Sequence, residues 1–202
     1  MASQERTLIL VRHSLPAFVT GLPASHWRLS AEGRRRCEKL AQRLAAYDLA
    51  TVVTSDEPKA AETGQIVAHV LGLPVETAPG LHEHERAAVR DLGSQEAFQA
   101  QVVRFFEHPG ELVLGYETAD RAHARFAAAV ARVLEQYPEG NLAIVSHGTV
   151  LTLFVARANG LDPVPFWKGL GLPAFAVLSL PEFGLREVVE KVWNKNVKRE
   201  AY

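Results

Sequence analysis

Apolar residues in this chain form two kinds of pattern, short unbroken runs and longer stretches of helical spacing, and the two alternate. Leu8-Ile9-Leu10-Val11 and Leu142-Ala143-Ile144-Val145 are apolar at consecutive positions, as strands covered on both faces require. They predict strands over Thr7–Val11 and Leu142–Val145, with shorter ones at Thr51–Thr54 and around Val75. After Ser30, a residue suited to cap the first free N–H groups of a helix, Cys37, Leu40, Leu44 and Tyr47 recur at helical spacing. A second helix begins near Pro58, places Ile66, Val67 and Val70 on one face, and stops at Gly72. Further helices follow near Gln95–Glu107, Thr118–Tyr137 and Thr149–Asn159, the last two ended by Pro138 and Gly160. Ala174–Leu180 and Leu185–Trp193 read as a closing antiparallel pair.

This alternation predicts an α/β fold, a three-layer α/β/α sandwich with a mostly parallel central sheet. No repeat, low-complexity tract or linker interrupts it, so residues 1–202 are expected to form a single domain. At 202 residues and 48% hydrophobic, the chain has enough apolar surface for a substantial core. Its formal net charge of -1 supplies no field that would recruit nucleic acid or an anionic membrane. Lys191, Lys195, Lys198 and Arg199 are thinly spread and read as a solvated tail. Cys37 is the single cysteine, which rules out an internal disulfide and suits a reducing compartment. With no signal-peptide pattern and no apolar stretch of bilayer length, a cytoplasmic protein is expected.

In open α/β sheets, ligands bind beyond the carboxyl ends of the strands. There Arg12 and His13 end the first apolar run, His147 ends the later one, and Ser55 to Lys59 open the second helix. This grouping suits phosphoryl chemistry. Neutral imidazole is a competent nucleophile near neutral pH, so His13 can attack phosphorus and form a phosphohistidine. Arg12, Lys59 and His147 would supply positive charge to the equatorial oxygens, and the N-terminus of the second helix would add N–H donors. The leaving alkoxide needs a proton. Glu83 and Glu85, in Leu81-His82-Glu83-His84-Glu85-Arg86, are both candidate donors, with burial expected to raise the carboxyl into a useful range.

Other signals are weaker. His82 and His84 have no companion ligands at metal-site spacing, so no metal is expected. Cys37 and Arg43 share the C-x5-R spacing of cysteine phosphatases, but the residues between them are helix formers rather than a phosphate loop. No Walker or G-x-G-x-x-G motif is present, and no nucleotide cofactor is expected.

The motifs together resemble the histidine phosphatase superfamily, also called phosphoglycerate mutase-like. Val11-Arg12-His13-Ser14 matches the opening R-H-G, and Leu29-Ser30-Ala31-Glu32-Gly33 matches L-[ST]-x-x-G. Ser55-Asp56-Glu57-Pro58-Lys59-Ala60-Ala61-Glu62-Thr63 matches S-x-x-x-R-A-x-[QE]-T, and Leu81-His82-Glu83 matches L-x-E. Gly115-Tyr116-Glu117-Thr118 resembles a G-E-[ST] element, and Val145 to Gly148 is an intact V-S-H-G. The resemblance implies a phosphoglycerate mutase-like fold and metal-independent hydrolysis of phosphomonoesters through a phosphohistidine on His13. It implies Arg12 and His147 as phosphate ligands, Lys59 in the place of a second phosphate-binding arginine, and Glu83 as proton donor. The partner would be a small phosphorylated substrate or a phosphoprotein.

Phosphoglycerate mutase-type transfer is the nearest alternative. It is less favoured because the mutases' W-N-containing loop is replaced here by the mostly apolar Leu15 to Gly21. That loop, with Phe18 and Trp27, would favour an uncharged or partly hydrophobic leaving group. Three departures stand out. Ser14 replaces a glycine and is expected to narrow the pocket. Lys59 replaces an arginine and loses its planar fork. The acidic segment lacks an aromatic-glycine continuation, which keeps Glu85 open as the acid. The first two changes also admit a catalytically reduced phosphate- or phosphoester-binding protein.

Overall fold

A computed structural model describes residues 6–86, 94–193 and, for the backbone, 199–200. Strands β1 (Thr7–Arg12), β2 (Leu49–Thr54), β3 (Val75–Thr77), β4 (Asn141–Ser146), β5 (Ala174–Ser179), β6 (Leu185–Val189) and β7 (Arg199–Glu200) make one sheet. Their spatial order is β3-β2-β4-β1-β5-β6-β7. The β3, β2, β4 and β1 strands run parallel, and β5, β6 and β7 add antiparallel pairings.

Helices α1 (Ala31–Leu44), α2 (Pro58–Leu71), α3 (Gln95–Glu107), α4 (Ala119–Gln136), α5 (Gly148–Asn159) and α6 (Pro163–Gly169) cover both faces. Successive strand residues point to opposite faces, and the two cores divide accordingly. Leu8, Leu10, Leu142 and Ile144 join Phe105, Phe126, Val130 and Leu151 from α3, α4 and α5. Ile9, Val11, Ala143 and Val145 join Leu40, Leu44, Ala60 and Val67 from α1 and α2. The three-layer α/β/α sandwich expected from the sequence is the fold observed. No helix among the described residues is long and apolar enough to cross a membrane.

Helix boundaries follow their caps. Ser30 accepts from Gly33 N to start α1, Thr118 accepts from Arg121 N to start α4, and Gly72 and Gly160 end α2 and α5 in the left-handed region. The expected face of α2 packs only in part. That helix buries Ala60, Thr63, Gly64 and Val67, while Val70 is 47% exposed. The close approach is made by small residues: a Cβ on Gly64 would lie 2.1 Å from the Thr54 methyl. Of Ile66, Val67 and Val70, only Val67 marks the fully buried stripe. The short α6, with two prolines in its seven residues and Asp162 accepting from Val164 N, was not anticipated. The strand expected over Leu185–Trp193 ends at Val189. In place of a wholly solvated tail, Arg199–Glu200 pairs with Glu187 and Val188, while Lys195 and Lys198 lie outside the described residues.

Candidate active site

The register of the central strands assembles the site. Arg12 on β1 lies opposite Ser146 on β4, His13 N donates to Ser146 O (2.9 Å), and Ser55 N donates to Val145 O (2.9 Å). Three strand ends thereby bring Arg12-His13, Ser55 and His147 to one edge. The His13 and His147 rings meet edge-to-face with centroids 5.2 Å apart.

His13 Nδ1 lies 2.7 Å from Ser14 O. A carbonyl only accepts, so Nδ1 carries the proton and Nε2 keeps its lone pair. Burial, then Lys59 and Arg12, hold the ring well below the usual histidine range, and His13 is neutral near neutral pH. Arg12 Nη1 donates to Leu170 O (2.5 Å), and burial lowers its guanidinium to about 10, which leaves it a cation. Arg12 lies flat over Gly148, where a Cβ would fall 2.8 Å from its Nε and 3.0 Å from its Cζ. Gly148→Ala is therefore expected to displace the guanidinium and weaken phosphate inhibition about tenfold, while the melting temperature holds. Titration of the variant with inorganic phosphate checks this, and an unchanged inhibition constant would refute it.

His147 was expected to contribute positive charge. Burial and the neighbouring Lys59 instead push it well below the usual range, so it acts here as a neutral ring. Its Nε2 lies 2.9 Å from Ser55 Oγ, and its Nδ1 is buried with no partner among the described residues. Lys59 Nζ donates to Ala24 O (2.8 Å) and pairs with Glu57 Oε2. The loop carrying Phe18 and Trp27, which meet edge-to-face at 5.0 Å, is thus fastened to the site through Ala24.

The two acidic candidates separate. Glu83 is buried: its Oε2 accepts from Thr149 N (3.1 Å), and its Oε1 from Val150 N (3.2 Å) and His84 N (3.0 Å). Glu85 is turned outward, its side chain 57% exposed and 3.7 Å from His82. The expected rise in pKa does not occur at Glu83. Burial raises it, but the hydrogen bond from His84 and the Arg86 guanidinium outweigh burial and hold it well below the usual carboxylate range. The N-terminus of α5 meets the Glu83 carboxylate through Thr149 N and Val150 N, while at the start of α2 Pro58 has no N–H and the Ala60 and Ala61 amides bond to Glu57 O.

Ser14 does not narrow the pocket. Its hydroxyl donates to Gly33 O (2.7 Å) and its N–H to Thr63 Oγ1 (3.0 Å), so the side chain is turned toward α1. Cys37 is buried in α1 with its thiol pushed up to about 11, which removes thiolate chemistry. His84 stacks on Phe105 at 4.4 Å, and no metal-binding group of three or more His, Cys, Asp or Glu occurs among the described residues.

Several functional contacts had no role assigned from sequence. Glu57 reaches into the site, and Arg86 Nη2 lies 3.9 Å from Glu83 Oε2. Arg125 donates to Glu117 and to the carbonyls of Gly80, His82 and Glu83, bracing the loop that carries Glu83. Ser55, Glu57, Thr63 and Glu117 all stood within the recognised motifs. Arg125 gave no signal beyond sharing α4 with the Glu117 region.

The buried neutral histidines make stability depend on pH. Below about pH 6.5 the unfolded chain binds protons that folded His13, His84 and His147 resist, so stability falls on acidification. Each such group contributes a slope of up to about 1.4 kcal/mol per pH unit. Urea titrations between pH 7.5 and 5.5 are expected to show that fall, and a flat profile would refute it.

A phosphoglycerate mutase-like sheet with arginine and histidine at its central strand ends defines the class. Residues 8–195 match the histidine phosphatase superfamily (branch 1), and the chain belongs to that family. It is 25% identical over 135 residues to the uncharacterised phosphatase PhoE of Bacillus subtilis, across 67% of this chain and 66% of that one. It is 29% identical over 141 residues to the probable phosphoglycerate mutase GpmB of Yersinia enterocolitica, across 67% and 65%. The matches thus span just under two thirds of either relative. In fold it is similar to a mycobacterial glucosyl-3-phosphoglycerate phosphatase solved with VO3 (TM-score 0.72, 20% identity, 92% of this chain and 98% of that one).

Proposed function

We propose that residues 1–202 act as one domain, a cytoplasmic, metal-independent phosphomonoesterase working through a phosphohistidine on His13. The observation that carries this reading is the tautomer of His13, with Nδ1–H committed to Ser14 O and Nε2 free beside Arg12 and His147. Nε2 attacks phosphorus, the bond to the leaving oxygen breaks, and Glu83 protonates that oxygen. Water then attacks the phosphohistidine, giving its proton to Glu83 and releasing phosphate. Glu83 begins ionised, and the phosphoryl anion arriving beside it favours uptake of a proton from solvent, giving the protonated form that donation needs. Arg12 and Lys59 stabilise the equatorial charge, with His147 as a neutral hydrogen-bonding ligand. The substrate is a small phosphorylated molecule or a phosphoprotein, with the exposed Phe18 on the loop at the site favouring a partly apolar leaving group.

One observation favours a second reading. Glu57 already holds Lys59, as suits a phosphate-binding protein of reduced activity. Hydrolysis of an aryl phosphate in excess EDTA separates the two. Sustained turnover supports the phosphatase, and its absence in folded protein from pH 5 to 8 supports the binder.

A further inference from the structure

We infer that Glu57 sets the charge of the phosphoryl group this site accepts, admitting it with one proton shared between a phosphoryl oxygen and the Glu57 carboxylate. The inference rests on the phosphate-site reading above and names the ionic form of its substrate.

Glu57 occupies the N-cap position of α2, yet its side chain makes no capping hydrogen bond. The carboxylate is turned into the site, with its side chain only 10% exposed. Oε1 accepts from Glu83 N (2.9 Å) and lies 3.7 Å from His147 Nε2, while Oε2 pairs with Lys59. An anion therefore sits among the groups proposed to hold phosphate, fixed from both sides.

Among the described residues, the charged and titratable groups facing it are few. Lys59 comes from α2, His147 from the β4–α5 junction, Glu83 and Arg86 from the loop after β3, and Arg12 and His13 from the end of β1. Both histidines are held neutral by burial, so the cations are Arg12, Lys59 and Arg86, set against Glu57 and Glu83. A phosphate dianion within hydrogen-bond distance of a carboxylate is repelled by it. A proton between the two oxygens turns that repulsion into a charge-assisted hydrogen bond. The preferred form is then the monoanion, which a phosphomonoester reaches near its second pKa of about 6.

The test uses inorganic phosphate and calorimetry at pH 8 in two buffers of different ionisation enthalpy, which together count the protons taken up on binding. Wild-type protein is expected to take up about one proton more than Glu57→Gln, which keeps the shape and removes the charge. Glu57→Gln is also expected to bind phosphate about tenfold more tightly than wild type at pH 8, with the two converging toward pH 5.5. Equal uptake and equal affinity would overturn the inference and leave the phosphate site standing. Failure of both proteins to bind phosphate would overturn the inference together with the reading beneath it. Wild type alone provides a second arm: its phosphate affinity should weaken from pH 6 to pH 8.5, and a flat profile would overturn the inference even if the variant failed to fold.

Discussion

His13→Ala is expected to abolish the phosphoenzyme and lower aryl phosphate turnover by about 10⁴-fold or more. Among the described residues no neighbour is placed to take over: His147 Nε2 already engages Ser55 Oγ (2.9 Å), and the Cys37 thiol is sealed within α1. Arg12 and Lys59 are expected still to hold phosphate, so the loss should appear in kcat while phosphate inhibition persists. Removal of the ring leaves Ser14 O without its Nδ1 donor, so the melting temperature of the variant is measured alongside to confirm that it is folded. Acid-quenched labelling and steady-state rates on the same preparation check both halves. Unchanged turnover in the variant would remove His13 from the mechanism.

The second large effect is expected far from the reacting atoms. Arg125→Ala should cost about 3–5 kcal/mol of stability, because it strips the partner from the buried Glu117 carboxylate. It also leaves the carbonyls of Gly80, His82 and Glu83 without their shared donor. The loop then loses its brace, and Glu85 N, which donates to Glu117 Oε2 (3.2 Å), loses a fixed acceptor. Glu83 depends on that loop for its position, so kcat should fall about 10–100-fold at temperatures where the variant remains folded. Arg125→Lys keeps the charge on Glu117 but cannot reach all three carbonyls, and it should recover more stability than turnover. Chemical denaturation and kcat measured for both variants check this. If alanine at 125 left kcat unaltered, the brace would be structural only.

How much of this was legible depends on which residues carry each feature. β1 and β4 were plain because buried parallel strands are apolar at every position, and the Arg-His and Ser-His pairs mark where they end. The helices with polar caps, α1 and α4, were equally plain. The packing face of α2 was not, since Ala60 and Gly64 make the contact and apolar periodicity counts the larger residues instead. Within the site, residue identities could be read from motif order, but their states could not. The neutrality of His147 comes from burial and nearby Lys59, and the ionisation of Glu83 comes, against burial, from the donors and cation the fold gathers round it. The direction of the Ser14 hydroxyl depends on how close α1 comes to the end of β1. Glu57 stands in a motif but meets Glu83 N and His147 only in the folded chain, and Arg125 acts through carbonyls that no spacing in the sequence announces.

The pairing of β1 with β4 bears on how the protein is made. The strand carrying Arg12 and His13 is synthesised well before its parallel neighbour carrying Ser146 and His147, with β2, β3 and four helices between them. Domains form progressively as the ribosome adds roughly 5–20 residues per second. For seconds, then, the Arg12-His13 end of the chain exists with its neighbouring sheet position empty and its apolar residues uncovered. A nascent chain stalled before residue 141 should therefore be inert toward phosphate and dependent on chaperones, and competence should arrive abruptly as β4 is inserted between β1 and β2.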